Sequence, residues 1–120
     1  MLAFATALAV TLAPVTAQAQ ATQLYIVVYR PGPAWIAGKP MHQQKLGPHV
    51  TYIRTLLAQG RLVAGGPFTD GDGGMAIFRA SSPEEARAML AADPAISSGV
   101  FVAEMRPWEP RFDSGKPLKG

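Results

Sequence analysis

The sequence predicts an α+β domain in which the elements follow the order strand, helix, strand, strand, helix, strand. Four short apolar runs, rich in β-branched and aromatic residues, have the length and composition of strands. Two longer segments carry apolar residues at helical spacing and are bounded by capping residues. Turns rich in glycine, proline and aspartate separate these segments. This order is the ferredoxin-like βαββαβ arrangement, with an antiparallel sheet.

The first strand is predicted over residues 24–29, where the run LYIVVY is typical of a buried strand. The sequence Pro31-Gly32-Pro33 ends it. The connection that follows, residues 31–46, is long for a small domain. A loop of that length is often functional, and one interpretation is a lid over a site.

The first helix is predicted to begin near Pro48, since the first helical position needs no N–H, and to end at Gly60, a good left-handed cap. At about 100° per residue, His49 falls within the apolar sector of this helix. A polar ring on the inner face needs a hydrogen-bond partner. The other residues of the apolar sector are Val50, Ile53, Leu56 and Leu57, with Tyr52 at its border.

The second half of the chain predicts a hairpin, a helix and a last strand. Residues 61–64 and 75–79 are the two hairpin strands, joined by a turn rich in glycine and aspartate. Ser82-Pro83-Glu84-Glu85 is a capping box, in which the glutamate is expected to accept from the N–H of the serine. Asp93-Pro94 is predicted to stop the helix, and residues 100–105 form the last strand.

Composition narrows the classes of function. The 120 residues suit one domain, the hydrophobic fraction of 48% is enough for a core, and the net charge is +3. The absence of cysteine excludes disulfides, thiolate catalysis and cysteine-ligated zinc. The chain has no basic stripe interleaved with aromatic residues, so no nucleic-acid partner is expected.

The N-terminal segment resembles a secretory signal peptide. Residues 1–23 carry no charge, residues 2–15 are almost wholly apolar, and Ala17-Gln18-Ala19 is a small-x-small triplet. We therefore expect cleavage after Ala19, a periplasmic or secreted protein, and no membrane association once residues 1–19 are removed. The apolar run is short for a bilayer span, and no basic residue precedes it. The alternative is a buried N-terminal helix. The domain itself is predicted over residues 23–108, with a tail over 109–120.

His49 and Asp70 are the candidate catalytic pair. The crossover that joins the first two strands brings the start of the first helix and the end of the second strand to the same end of the sheet. The loop over residues 93–98 begins at that end too. An imidazole and a carboxylate are the usual partners in proton transfer. The alternatives are a histidine bonded to backbone and an Asp70 that only stabilises its own turn, as is expected of Asp72.

Aromatic and apolar residues near this end are candidates for a ligand pocket, although most of them suit a core equally well. His42 is interpreted as a solvated loop residue. The spacing of the histidines and aspartates matches no common metal site. His49 could ligate haem, but no other feature of the sequence supports a haem site. We therefore expect neither a metal nor a cofactor. The candidate pocket residues are Trp35, Tyr52, Pro67, Phe68 and Phe101.

An ordered set of motifs resembles the YCII-related domain family over roughly residues 23–108. The motifs are His49-x-x-Tyr52, Leu56, Gly60, Gly66-Pro67-Phe68-Thr69-Asp70, Gly73-Gly74, Ser82-x-x-Glu85-Ala86, Asp93-Pro94 and Pro107-Trp108. The resemblance implies a dimeric α+β barrel, in which two ferredoxin-like sheets pack face to face, and hence a homodimer. It also implies a catalytic His–Asp dyad, at His49 and Asp70. A dehydrochlorinase acting on a chlorinated aromatic belongs to the same family, while most members have no established activity.

Three functions are compatible with these features. The first is a cofactor-independent enzyme that performs an elimination or isomerisation on a small organic molecule, with His49 moving a proton and Asp70 orienting it. The second is a non-catalytic module that binds a small molecule in the periplasm. The third is a purely structural dimer, whose cavity would be filled by side chains.

Overall fold

The computed structural model describes residues 2–10 and 21–119. Residues 2–10 are exposed and form no regular secondary structure, so they do not form the buried N-terminal helix considered above. The predicted cleavage site at Ala17–Ala19 lies outside the described residues, and export stays a prediction. Among the described residues, no helix has the length and apolar character needed to cross a membrane.

The elements confirm the α+β class and the predicted order, except that a short helix replaces the loop predicted over residues 93–98. One four-stranded sheet has the strand order β2-β3-β1-β4, and every neighbouring pair is antiparallel. This is the ferredoxin-like topology. The elements are β1 Gln23–Pro31, α1 Gly47–Ala58, β2 Leu62–Pro67, β3 Gly74–Ala80, α2 Pro83–Ala91, α3 Pro94–Ser97 and β4 Phe101–Trp108, with a single 3₁₀ turn at Met41–Gln43.

The core lies between one face of the sheet and the helices. In β1 the buried residues alternate with half-buried ones, because successive side chains of a strand point to opposite faces. Tyr25 and Val27 point toward the helices, where Leu56 of α1 and Met89 of α2 are also fully buried. The predicted apolar face of α1 is too wide, since Val50 and Leu57 are 45% and 55% exposed.

Strands β2 and β4 extend further than the sequence predicts. Both continue through prolines, β2 to Pro67 and β4 through Pro107. These two strands are the edges of the sheet. Proline has no backbone N–H, and an edge strand tolerates it because one of its sides has no neighbouring strand to bond. Gly73 then turns the chain into β3 with a φ of 92°. A side chain there would meet the carbonyl oxygen of Tyr29 at 2.2 Å.

The connection after β1, interpreted above as a lid, is held together by one of its own side chains. Gln44 is buried, and its Oε1 accepts a hydrogen bond from the N–H of Ile36 at 2.8 Å. Its Nε2 donates to the carbonyl oxygens of Ile36 and Lys39, at 2.9 and 2.8 Å. One side chain therefore ties together backbone groups from both halves of the loop, and this restricts its opening.

Helix α2 begins with the predicted cap but differs in one partner. Ser82 Oγ accepts from the N–H of Glu85 at 3.1 Å, as a capping box requires. Glu85 accepts from the backbone and hydroxyl of Ser81, not from the N–H of Ser82. These bonds hold the pKa of Glu85 below its usual value. Its other oxygen lies 3.5 Å from the guanidinium of Arg61, which draws the side chain away from the serine cap.

Candidate functional site

The site lies at the end of the sheet where β1 and β2 end and β3 and β4 begin. Antiparallel pairing places Tyr29 of β1 opposite Gly74, the first residue of β3, and Pro31 opposite Phe101, the first residue of β4. Helix α1 starts over this end because it follows β1 through the long connection. The short helix α3 leads into β4 and packs against α1. Three connections, β1–α1, β2–β3 and the segment that leads through α3 to β4, therefore meet here with the start of α1.

His49 forms a hydrogen-bonded pair with Asp93. The imidazole Nδ1 lies 2.8 Å from both Asp93 Oδ1 and Asp93 Oδ2. Asp93 is fully buried, whereas the side chain of His49 is 15% exposed. Helix α2 ends at Ala91, just before Asp93-Pro94, as predicted, and Asp93 also caps the next helix, since its Oδ1 accepts from the N–H of Ala95 at 2.9 Å. Helix capping and histidine orientation thus share one carboxylate.

The hydrogen bonds that Asp93 accepts indicate which tautomer the imidazole of His49 adopts. Tyr29 donates its hydroxyl to Oδ2 at 3.3 Å, and the N–H of Ala95 donates to Oδ1. Since both oxygens already accept hydrogen bonds, Nδ1 of His49 is best assigned as a further donor. Nε2 is then free to accept or release a proton. It makes no hydrogen bond within residues 2–10 and 21–119, and it is not completely buried, since every fully buried polar side-chain atom there has a partner.

Aromatic rings hold the imidazole in place. The rings of Tyr29 and Phe101 each meet His49 edge-on, with centroids 5.5 Å away and interplanar angles of 74° and 80°. Trp35 stacks on Phe101 at 5.8 Å, which supports that wall of the site. Edge-to-face contacts of this kind stabilise one ring orientation. His49 is therefore positioned by packing as well as by its bond to Asp93.

Asp70 is not the partner of His49, and this corrects the predicted pair. Asp70 is exposed in the turn between β2 and β3, which the N–H of Phe68 closes on the carbonyl of Gly73 at 3.0 Å. The reason is the order of strands across the sheet. His49 packs over β1 and β4, while the turn lies at the β2 edge. Two strand spacings, roughly 10 Å, separate β1 from β2.

A cavity of about 940 Å³ adjoins His49, a volume that suits a small organic ligand. One wall is α1, with His49, Val50, Ile53 and Arg54. The facing wall is the β2–β3 hairpin, and the 3₁₀ turn with exposed His42 forms a third side. The cavity is therefore not filled by side chains, as the purely structural alternative would require.

Three of the five predicted pocket residues line this cavity, namely Pro67, Phe68 and Phe101. Trp35 lies behind Phe101, in contact with its ring. Tyr52 instead donates its hydroxyl to the carbonyl of Met89 at 2.7 Å and so links α1 to α2. The prediction of a pocket role is therefore wrong for Trp35 and Tyr52 as direct lining residues. Within the described ranges, no three His, Asp or Glu side chains are grouped to hold a metal ion.

Two site residues were missed because their sequence signals suggested other roles. Asp93 precedes proline, and Asp-Pro is typical of a helix end. The feature that points to its role is that the segment after Asp93 leads into β4, which lies beside β1 and therefore close to His49. Arg54 falls on the polar side of the helical wheel, yet it lines the cavity because the β2–β3 hairpin faces that side of α1.

Tyr29 supplies a test of this buried network through pH. Burial, and then the charge of Asp93, raises the pKa of Tyr29 above its usual value of 10.0. The folded protein thus keeps a proton that the unfolded chain releases, so the unfolding free energy should fall as pH rises above about 10, by up to about 1.4 kcal/mol per pH unit. Tyr29→Phe should flatten this slope in urea denaturation between about pH 9 and pH 11. Tyr52, whose pKa burial also raises, should leave a residual slope. Equal slopes in both proteins would contradict the assignment.

Comparisons with known proteins agree with this architecture. Residues 23–109 match the model of the YCII-related domain. The uncharacterized protein YjpA of Bacillus subtilis (strain 168) is 34% identical over 68 residues, which cover 57% of this chain and 80% of YjpA. The fold is similar to that of 5-chloro-2-hydroxyhydroquinone dehydrochlorinase (TftG) from Burkholderia phenoliruptrix AC1100, solved with 2,5-dihydroxybenzoquinone. That similarity has a TM-score of 0.53 and 22% identity, and covers 72% of this chain and 93% of TftG.

Proposed function

Because the chain belongs to the YCII-related domain family and holds an imidazole–carboxylate pair at a cavity wall, we propose that it is a cofactor-independent enzyme. His49 is its general acid or base, and a small organic molecule is its substrate. The observation that carries this proposal is that the two ring nitrogens of His49 have different surroundings. Nδ1 is held by Asp93, whereas Nε2 makes no hydrogen bond within the described residues, and His49 lines the cavity. A base positioned in this way transfers protons efficiently.

The reaction class that we propose is elimination. Nε2 takes a proton from the substrate, the electron pair of the broken bond forms a new double bond, and a leaving group departs with its own electron pair. Asp93 stabilises the imidazolium formed in this step, which gives it the role that the sequence suggested for Asp70. The similar fold of a dehydrochlorinase makes halide a sensible first leaving group to examine.

The test is halide release from a panel of chlorinated hydroquinones that includes 5-chloro-2-hydroxyhydroquinone. We expect His49→Gln to lower turnover by about 10²- to 10⁴-fold while the fold persists. His42→Gln is the matched control, since it removes the exposed imidazole at the same cavity, and we expect a change of less than about threefold on the scale of positioned acid–base groups. Unchanged turnover in His49→Gln would exclude the mechanism. Ligands that bind unaltered in every case would favour the binding-module alternative.

We also propose that the protein is a homodimer formed through the sheet face that points away from the helices. Apolar side chains that are half-buried or exposed occupy the middle of that face, and the charged side chains of Arg79, Glu104 and Arg106 lie among them. An unpartnered surface of this kind can associate in water. The apolar residues are Leu24, Ile26, Val28, Ile77 and Val102.

Light scattering tests the dimer. The expected mass is twice the 12.7 kDa of one chain, less any segment removed in processing. Ile26→Glu should shift the protein to monomer, because it places a charge in the middle of the apolar face. The matched control is Ala88→Glu, at an exposed position on α2. A monomeric mass for the unaltered protein at all concentrations would refute the proposal.

A further inference from the structure

Arg54 brings a permanent positive charge to the wall of the cavity. It follows His49 by five residues on α1, and the side chains of His49, Val50, Ile53 and Arg54 all line the same space. Among the lining residues, Arg54 and Asp72 are the two that carry Arg, Lys, Asp or Glu side chains. They lie on different walls, Arg54 on the helix and Asp72 on the β2–β3 turn.

The guanidinium of Arg54 is not engaged by the protein itself. No carboxylate of residues 2–10 and 21–119 lies within salt-bridge distance of it, whereas Arg61, Arg87 and Arg111 each pair with a glutamate. A guanidinium also carries five N–H donors in a planar fork, which matches the two oxygens of a carboxylate. Arg54 therefore has unused capacity to bind an anion.

The rest of the cavity strengthens that capacity. Its walls include Val50, Ile53, Phe68 and Phe101, and apolar walls lower the local dielectric and displace water. Arg54 itself is exposed, so an anionic group beside it combines contact with the guanidinium and contact with these apolar walls. Asp72 on the facing wall carries the opposite charge and repels negative groups, so an anionic group is favoured only on the Arg54 side of the cavity. The wall chemistry thus favours a ligand with one negative charge and an apolar body.

We propose that Arg54 is the specificity-determining residue of the cavity, and that it selects a small aromatic or otherwise apolar molecule with one anionic oxygen group. This inference rests on the proposed function of the cavity as a small-molecule site. Five residues of α-helix rise about 7.5 Å along the axis, and both His49 and Arg54 line the cavity. A ligand in this space can therefore contact both residues.

The experiment uses benzoate and benzamide, which have nearly the same shape and differ in charge. Binding to the full chain is followed by NMR titration at neutral pH, with the backbone amides of Val50 and Ile53 as reporters. We expect benzoate to bind about five- to tenfold more tightly than benzamide, and the preference to weaken as salt is added. Arg54→Gln should bring the two affinities together, and Arg54→Lys should retain part of the difference. The matched control is Arg87→Gln, an exposed α2 arginine outside the cavity, which should keep the full preference.

The outcomes separate this inference from the proposed reaction. His49→Gln should lower turnover by about 10²- to 10⁴-fold but keep the preference for benzoate. A retained preference without turnover of any substrate refutes the reaction and leaves the role of Arg54 standing. Equal affinities in the unaltered protein, no binding of benzoate at millimolar concentrations, or an unchanged preference in Arg54→Gln would each overturn the inference.

Discussion

Asp93→Ala is expected to lower the free energy of unfolding by about 2–4 kcal/mol, whereas Asp70→Ala should change it by less than about 0.5 kcal/mol. Each substitution removes a carboxylate at the same end of the sheet. The two carboxylates differ in their surroundings. Asp93 is fully buried and Asp70 is exposed.

The large effect arises because three donors share the Asp93 carboxylate. Its removal leaves Nδ1 of His49, the hydroxyl of Tyr29 and the N–H of Ala95 without their acceptor. Buried donors left unpaired cost more than the net gain of an ordinary hydrogen bond. The start of α3 also loses its cap, which typically contributes about 1 kcal/mol. These losses are coupled, so they do not add in full.

Urea denaturation monitored by circular dichroism measures both variants at neutral pH. Tyr29→Phe and His49→Gln each remove one donor and should give smaller losses than Asp93→Ala. If Asp93→Ala unfolded at the same urea concentration as Asp70→Ala, the buried network would not stabilise the fold as described.

The fold could be predicted because its signals are local and agree with one another. The strand run at residues 24–29 and the serine cap at Ser82 each identify an element without knowledge of the rest of the chain. Chirality then fixes the crossover and places α1 over the end of β1. The boundaries at Pro67 and Pro107 were missed because a proline is compatible with a strand only at an edge, and edge position is a property of the whole sheet.

Of the hydrogen-bonded pair, His49 was predicted and its partner Asp93 was not, for a related reason. The inward position of His49 follows from helical spacing, which is local. The identity of its partner depends on lateral distance across the sheet, and several loops at one end supply carboxylates. Asp70 belongs to the turn at the β2 edge, whereas Asp93 precedes β4, beside β1. The order of elements along the chain predicts at which end of the sheet the carboxylate lies. The order of strands across the sheet decides which carboxylate is close enough to His49.

The second large effect is kinetic: Asp93→Asn should lower kcat/KM by about 10²- to 10⁴-fold on any substrate that the unaltered protein converts. Asparagine has nearly the shape of aspartate, so its oxygen can still accept from the N–H of Ala95. Its amide nitrogen, however, donates a hydrogen bond toward Nδ1 of His49. The imidazole proton then moves to Nε2, which can no longer accept a proton from the substrate.

Asp70→Asn is the matched control, since it makes the same chemical change at the exposed turn, and it should leave kcat/KM within about threefold of the unaltered protein. The tautomer change has a signature of its own. In ¹⁵N NMR spectra of the histidine rings, the protonated nitrogen of His49 should switch from Nδ1 to Nε2 in Asp93→Asn and stay at Nδ1 in Asp70→Asn. A fall in activity without this switch would assign Asp93 a structural role alone. If Asp70→Asn lowered kcat/KM as much as Asp93→Asn, the catalytic carboxylate would be Asp70 in the turn and not Asp93.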